Sequence, residues 1–343
     1  MTYKELLDAA RPRMGAVCKA CPVCDGRACG SRIPGPGAKG AGDTAIRNYQ
    51  AWQNIRLNMD ALHEGFEPDT TLQLFGRSFR IPVFAGPVGA VNNHYGDTYN
   101  DVTYNNVLVS ACAAAGIAAF TGDGVSPVTM TAATQAIAEA GGTGVPTVKP
   151  WDAATVSEKM AQVRASGAFA AAMDVDAAGL PFLKNRQPPA GCKSVEELRA
   201  IVQDAGVPFI VKGVMTPAGA EKAIAAGAAG IVVSNHGGRV LDGCRATAEV
   251  LPAIVKAVDG RIPVLVDGGI RSGADIFRAL ALGAAGVIIC RPFVPAVFGG
   301  GAEGIQCYVD KLAGELAEAM LLTGAKTLAD ITPDMVWAPP DGT

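Results

Sequence analysis

Short apolar runs alternate with longer, alanine-rich segments from residue 81 almost to the end of the chain. Eight of these runs are nearly all apolar, which is the pattern of parallel strands that are buried on both faces. They cover residues 81–85, 117–121, 145–148, 169–173, 209–211, 230–233, 264–266 and 287–289. The segments between them have helical periodicity, as over residues 194–205, 218–226, 249–258 and 273–281.

This alternation predicts an α/β fold, a (β/α)8 TIM barrel, over residues 81–343. An open doubly wound sheet uses the same units, but eight strands without a GxGxxG motif after the first strand favour the barrel. Residues 1–80 are predicted to form an irregular, Cys- and Gly-rich N-terminal extension. Within it we expect a helix over 3–10, a loop over 30–42, partial helix over 45–60 and a hairpin over 71–79.

Composition narrows the class of protein. The chain has 343 residues, of which 49% are apolar and 18% charged, so it can bury a large core. Its net charge is −3 and its basic residues are scattered, which argues against a nucleic-acid partner. No apolar run reaches the roughly 18 residues of a membrane span, and the charged N-terminus does not resemble a signal peptide. We therefore expect a cytoplasmic protein without a membrane partner.

Four of the nine cysteines lie close together near the N-terminus, at Cys18, Cys21, Cys24 and Cys29. In a cytoplasmic chain such a cluster indicates metal binding more than disulfides. The spacing allows one loop to wrap an iron–sulfur cluster or a zinc ion, and it leaves both open. The alternative is a loop of reduced thiols or a local disulfide.

Polar groups follow four consecutive predicted strands, where the active site of such a barrel lies. Lys212 follows the fifth run, and Ser-Asn-His-Gly-Gly-Arg over 234–239 follows the sixth. Asp267-Gly-Gly-Ile-Arg over 267–271 follows the seventh, and Cys290 with Arg291 follows the eighth. The glycines and arginines of the last two segments predict a phosphate-binding site. His236 suits proton abstraction, Arg239 suits a carboxylate, and Lys212 suits negative charge on a cofactor ring.

These segments resemble the FMN-dependent α-hydroxy acid oxidases and dehydrogenases, the family of glycolate oxidase, lactate oxidase and flavocytochrome b2. The resemblance is dense over residues 207–331 and thinner back to about residue 40. It implies FMN as cofactor, oxidation of a small 2-hydroxy acid to the 2-oxo acid, and a homo-oligomer, a tetramer in this family. The resemblance does not distinguish hydride transfer from a carbanion route.

The resemblance also implies a role for individual residues. His236 is the base, Arg239 binds the substrate carboxylate, and Lys212 meets the N1/O2 edge of the flavin. Ser234 lies beside the flavin, and Ala85, Gly86 and Pro87 lie against its ring. The ribityl chain and phosphate are held by Asp267, Gly269, Arg271, Cys290 and Arg291, where Cys290 replaces a glycine of the family.

The substrate half departs from the family pattern. The loop over 32–37 lacks the expected tyrosine, and Lys149 or Trp151 faces the pocket in place of a second tyrosine. Asp174, followed by Asp176, replaces a threonine. The second carboxylate-binding arginine is missing from 177–181, with Lys184 and Arg186 nearby but out of register. Asp174 with Lys149 is predicted to form an ion pair, an acid–base pair or a binder of a cationic group, and His94 is assigned a structural role.

Two other functions fit part of the pattern. One is a related FMN barrel such as a type 2 isopentenyl-diphosphate isomerase, which would require more basic residues around the pocket. The other is a non-catalytic FMN or metal protein that senses redox state. An iron–sulfur cluster close to the flavin would favour a dehydrogenase over an oxidase.

Overall fold

The computed structural model describes residues 1–180, 183, 187 and 189–339. Eight parallel strands close into a barrel, β4 to β11, in the order β10-β11-β4-β5-β6-β7-β8-β9. Each overlaps one of the eight predicted runs, so the predicted barrel is confirmed. The strands are β1 (Arg56–Leu57), β2 (Leu72–Leu74), β3 (Arg77–Phe79), β4 (Val83–Ala85), β5 (Ala118–Thr121), β6 (Gly144–Val148), β7 (Ala171–Asp174), β8 (Phe209–Val214), β9 (Gly230–Val233), β10 (Val264–Val266), β11 (Gly286–Ile289) and β12 (Val336–Trp337).

The helices between the strands form the outer layer, and the four predicted in the C-terminal half agree with the structure to within two residues. The α-helices are α1 (Tyr3–Ala10), α2 (Asp43–Asn54), α3 (Val91–Tyr95), α4 (Asp101–Ala114), α5 (Pro127–Glu139), α6 (Ala153–Ala165), α7 (Val195–Ala205), α8 (Pro217–Ala225), α9 (Thr247–Val258), α10 (Gly273–Ala281) and α11 (Phe293–Leu321). Short 3-10 turns cover Arg11–Arg13, Val175–Gly179, His236–Gly238, Leu328–Asp330 and Pro333–Met335.

The strands are mainly apolar because both of their faces are covered. At least one residue of each barrel strand belongs to a single interior cluster, while its neighbours in sequence pack outward against the helices. The strand residues of this cluster are Phe84, Ala118, Phe120, Val145, Ala172, Ile210, Val232, Leu265 and Ile288. The side chains therefore fill the barrel, and ligand space remains only at its ends.

The β2–β3 hairpin closes the end of the barrel at which the strands begin. Leu72, Leu74 and Phe79 belong to the interior cluster, and the Phe79 ring packs edge-on against Phe84 with ring centroids 5.0 Å apart. The predicted hairpin around Gly76 is thus present, and Gly76 has the positive φ of 74° that its tight turn requires. With this end closed, the opposite end is free for a site.

The helix α2 and the loop before it lie on that opposite end, where the strands finish. The side-chain amides of Asn48 on α2 and Asn235 after β9 exchange two buried hydrogen bonds of 2.8 and 2.9 Å. Trp52 Nε1 donates to the Gly268 carbonyl at 2.7 Å, and Lys39 N donates to the Gly238 carbonyl at 2.8 Å. These contacts hold the extension against the loops after β9 and β10.

Within the described ranges, no helix is both long enough and apolar enough to cross a bilayer.

Candidate functional site

A cavity of about 810 Å³ opens at the C-terminal ends of the barrel strands. Most of the side chains that the sequence singled out line it together. They are Pro87, Lys149, Asp174, Lys212, His236, Arg239, Asp267, Gly269, Arg271, Cys290 and Arg291. The volume lies within the range of small-molecule and cofactor sites.

Three of the residues expected at the flavin do not line this cavity. Ala85 is the buried last residue of β4, and the Gly86 N–H donates to the Ile289 carbonyl within the barrel ladder at 2.8 Å. Ser234 lies beneath the cavity wall, where its Oγ accepts from Lys212 Nζ at 3.0 Å and from the His236 N–H at 3.1 Å. Ser234 therefore positions two site residues, while flavin contacts of all three stay predictions.

The imidazole of His236 is held by a carboxylate. Its Nδ1 lies 3.0 Å from Asp176 Oδ1 and 4.0 Å from Asp174 Oδ2, and Nε2 has no partner among the described residues. His236 has a φ of 55°, in a left-handed turn with Gly237 and Gly238. Such backbone strain in a residue other than glycine is concentrated at functional sites. The turn aims the ring into the cavity.

The pKa of His236 lies well below its ordinary value near 6.5. Burial is the main cause, and the positive charges of Lys212 and Lys149 act in the same direction, against the opposing charge of Asp174. Burial likewise raises the pKa of Asp176, although both lysines oppose it. The imidazole is therefore neutral at pH 7, with the lone pair on Nε2 available to accept a proton.

Lys212 carries a buried positive charge at the end of β8. Its side chain is only 2% exposed, and Nζ lies 3.4 Å from Asp267 Oδ2. Burial alone would lower the pKa of Lys212, but the carboxylates of Asp267, Asp176 and Asp174 outweigh it and raise that pKa. The cavity floor therefore presents a permanent ammonium group.

Arg239 lies under the N-terminal loop. Its Nη1 donates to the carbonyls of Gly35 and Gly37, both at 2.7 Å, and Nη2 lies 3.5 Å from His94 Nε2. His94 Nδ1 accepts from the Gly35 N–H at 2.8 Å. Burial, with the nearby Arg239 charge, lowers the pKa of His94 to about 4. A neutral His94 that fixes the loop agrees with the structural role expected for it.

The loops after β10 and β11 carry the two arginines expected to bind phosphate. Arg291 Nη2 donates to the Gly237 carbonyl at 2.6 Å, and Arg271 Nε donates to the Cys24 carbonyl at 2.7 Å. Gly269 has a second reason to be glycine, because an added Cβ would lie 2.3 Å from the Asn48 carbonyl oxygen of α2. The close packing of the extension therefore requires glycine at this position. The approach of an anion would require it independently.

Lys149 and Asp174 form an ion pair at the ends of β6 and β7, so the predicted pairing is present. Asp174 is only 1% exposed, and its Oδ1 has no partner among the described atoms. Of the two side chains proposed to face the pocket, Lys149 lines it and Trp151 does not. The Trp151 indole instead donates to Asp123 Oδ2 at 2.7 Å. Lys184 and Arg186 lie outside the described residues.

The four N-terminal cysteines surround a separate cavity of about 20 Å³. All four have free thiols, and no three of their sulfurs lie within 4.8 Å of one another in the part of the chain that the structure describes. The local disulfide considered from the sequence is thus not formed here. The four cysteines thus lie around one space, and the metal or cluster stays a prediction.

Comparisons with known proteins identify the family of the chain. The profile of the FMN-dependent dehydrogenase family matches residues 36–190 and 183–338, so the chain belongs to that family. It is 48% identical over 143 residues to an L-lactate oxidase of Roseobacter sp., covering 42% of this chain and 39% of that protein. A 2-hydroxyacid oxidase of Dictyostelium discoideum is 49% identical over 131 residues, covering 38% and 34%. The chain thus matches less than half the length of these curated relatives.

Solved structures match over nearly the whole chain. A mandelate oxidase with (S)-2-phenylpropionate is 26% identical, with a TM-score of 0.78 and 97% of both chains covered. A mandelate oxidase variant with a C4a-OH-FMN adduct is also 26% identical with a TM-score of 0.78, covering 96% of this chain and 97% of that one. These likenesses extend across the extension as well as the barrel.

The residues around the cavity fit FMN. Asp267 Oδ1 and Thr147 Oγ1 are buried, lack partners among the described atoms, and belong to residues that line the cavity. Buried polar groups need hydrogen-bond partners, which ribityl hydroxyls and the edge of the ring would supply. Arg271 and Arg291 provide charge for a phosphate, and Lys212 provides it for an anionic ring.

Two features of the site had not been assigned from the sequence. Asp176 was noted only as the neighbour of Asp174, yet it is the partner of His236. Its position just after β7, beside the other strand ends, was the available signal. Arg239 contacts the carbonyls of Gly35 and Gly37, which lie about 200 residues away in the sequence. No local sequence pattern predicts this contact.

Replacing Arg291 by alanine is expected to weaken FMN binding by about 10- to 100-fold, since a hydrogen bond to a charged group contributes about 1.5 to 3 kcal/mol. Quenching of flavin fluorescence on titration of the apoprotein measures the Kd. Arg77→Ala is the control, because Arg77 is similarly half-buried but contacts Thr143 at the closed end of the barrel. Equal Kd values for the two variants would contradict the phosphate site.

Proposed function

We propose that this protein oxidises a small 2-hydroxy acid to the 2-oxo acid, with FMN as the group that accepts the electrons. The observation that carries the proposal is the neutral His236, held by Asp176, on the same cavity wall as Arg239 and Lys212. The names of the relatives, L-lactate oxidase and 2-hydroxyacid oxidase, support the same substrate class. Bound FMN would supply the two-electron acceptor.

His236 is the proposed base. Because Asp176 accepts the Nδ1 proton, Nε2 carries the free lone pair, and the carboxylate stabilises the imidazolium formed when Nε2 takes a proton from the substrate. That proton comes from the hydroxyl if the electrons leave as hydride, and from the α-carbon if a carbanion forms. The arrangement of His236 serves either route.

Arg239 is the proposed carboxylate anchor. The carbonyls of Gly35 and Gly37 hold Nη1 and so fix the plane of the guanidinium, which leaves its other N–H groups for a planar carboxylate. Lys212 would stabilise negative charge on the reduced ring. Because the carboxylate of Asp267 raises the pKa of Lys212, its ammonium group stays protonated near neutral pH.

Lys149 is the proposed second substrate contact. It stands where relatives in the family carry a tyrosine, and its ammonium group lines the cavity although the residue is only 9% exposed. The ion pair with Asp174 holds it in one place. An oriented cation at this position would compensate for the second carboxylate-binding arginine, which is missing from residues 177–181.

No contact among the described residues favours the diphosphate-isomerase or the redox-sensing alternative. The metal or iron–sulfur group expected at the N-terminal cysteines is a separate proposal, since the flavin reaction does not require it. The tetrameric state and the cytoplasmic location stay predictions.

His236→Ala is expected to keep FMN but to slow its anaerobic reduction by 2-hydroxy acid by about 10²- to 10⁴-fold, the usual contribution of a general base. Stopped-flow absorbance of the flavin measures this rate. His63→Ala is the matched control, because His63 lies away from the cavity and contacts the Leu321 carbonyl. Reduction of the His236 variant at the rate of the control would show that the base has been assigned wrongly.

The pH profile of kcat/KM is expected to have an acid limb with a midpoint below 6.5. Only the neutral imidazole accepts a proton, so activity falls as pH drops through the pKa of His236, which burial depresses. Above that pKa the base is fully competent and the limb is flat. An acid limb centred at or above 6.5, measured with a substrate that does not titrate in this range, would contradict the assignment.

Lys149→Met is expected to raise KM for the 2-hydroxy acid by about 10- to 100-fold with FMN retained, because one charged hydrogen bond to the substrate is lost. Pairing it with Asp174→Asn avoids leaving an unpaired buried carboxylate. The exposed Lys256→Met serves as control. An unchanged KM in the double variant would show that the ion pair is only structural and does not contact the substrate.

A further inference from the structure

The cysteines at positions 18, 21, 24 and 29 line one small cavity. None of them is exposed, and Cys29 is buried, whereas Cys192 elsewhere in the chain is exposed. Four thiols from one short stretch thus face a common space inside the protein. The cavity is also lined by Tyr3, Leu7, Lys19, Ala20, Pro36, Tyr95, Arg291, Pro292 and Pro295.

The chain around these cysteines has little regular structure of its own. Residues 14–42 contain neither helix nor strand, so no ladder of backbone hydrogen bonds fixes the loop. Guanidinium groups contact it instead, and two of them reach the part that carries the cysteines. Arg271 Nε donates to the Cys24 carbonyl at 2.7 Å, and Arg11 Nη2 donates to the Ala20 carbonyl at 3.3 Å. Arg291 lines the cavity itself and is a third guanidinium group near the thiols.

We propose that Cys18, Cys21, Cys24 and Cys29 ligate an iron–sulfur cluster of the [4Fe–4S] type. Three cysteines at two-residue intervals and a fourth shortly after them let one loop supply every ligand. The surrounding arginines compensate the negative charge of a cluster bound by four thiolates. The assignment is independent of the 2-hydroxy acid proposed above.

The separation of the sulfurs distinguishes a cluster from a single zinc ion. Tetrahedral zinc with Zn–S bonds of about 2.3 Å brings its four sulfurs to about 3.8 Å from one another. Across the described residues, no three of these sulfurs lie within 4.8 Å of each other. In a cubane each thiolate binds a different iron, and the ligand sulfurs are farther apart. The thiols are therefore not at the spacing that a single zinc ion requires, whereas a cluster does not require that spacing.

The site shares a wall with the flavin cavity. Pro36, Tyr95 and Arg291 line both spaces. Arg291 is one of the two arginines expected at the FMN phosphate, so the cluster would lie directly behind the cofactor site. A cluster at this place would meet the condition under which the sequence favours a dehydrogenase over an oxidase.

Metal and sulfide analysis of the full-length protein, purified without oxygen, tests the assignment. We expect about four iron atoms and about four acid-labile sulfides per chain, and an electron paramagnetic resonance signal after reduction with dithionite. One zinc per chain without sulfide would overturn the proposal. So would protein that contains FMN but no metal, with all four thiols open to a thiol reagent.

Variants locate the cluster within the chain. Cys24→Ser is expected to lower iron and sulfide at least several-fold, while flavin absorbance shows that the barrel remains folded. Cys192→Ser is the control and keeps both at the wild-type level. Iron and sulfide retained in full by Cys24→Ser would overturn the assignment, and if that variant does not fold, the wild-type analysis decides alone.

Discussion

The buried ammonium of Lys212 is the constraint around which the site is organised. A charge that is 2% exposed is costly unless it is paired and hydrogen-bonded, and this one draws three carboxylates from two other strand ends. Asp267 comes from β10, and Asp174 and Asp176 come from β7. The charge of Lys212 in turn helps to keep His236 neutral. One buried cation thus couples Asp267 to His236, the proposed base.

The barrel makes this coupling possible because all eight of its parallel strands end on the same side. Side chains that are far apart in sequence become neighbours there, while the apolar interior below excludes water and lowers the local dielectric. The extension then closes part of the rim. Asn48 pairs with Asn235 directly before His236, and the loop at Gly35 lies on Arg239. The segment that reads as irregular in sequence therefore shapes the substrate side of the site.

Much of this arrangement was predictable from the sequence, because the signals lie within short stretches of the chain. Apolar runs identified all eight barrel strands, and polar residues directly after them identified Lys212, His236, Arg239 and Arg291. Contacts made across the fold were not predictable in the same way. Whether Lys149 or Trp151 faces the cavity depends on Asp123, which lies on another loop and captures the indole. The choice of Asp176 over Asp174 as the partner of His236 likewise depends on a 3-10 turn that only the structure shows.

If this cavity couples oxidation of a 2-hydroxy acid to reduction of FMN, the acid alone must reduce the flavin. Anaerobic absorbance of the wild-type protein, recorded while glycolate, both enantiomers of lactate and both enantiomers of mandelate are added in turn, measures this reduction. At least one acid is expected to bleach the flavin band and to yield one 2-oxo acid for each flavin reduced. A flavin that dithionite bleaches but that no 2-hydroxy acid bleaches would contradict it.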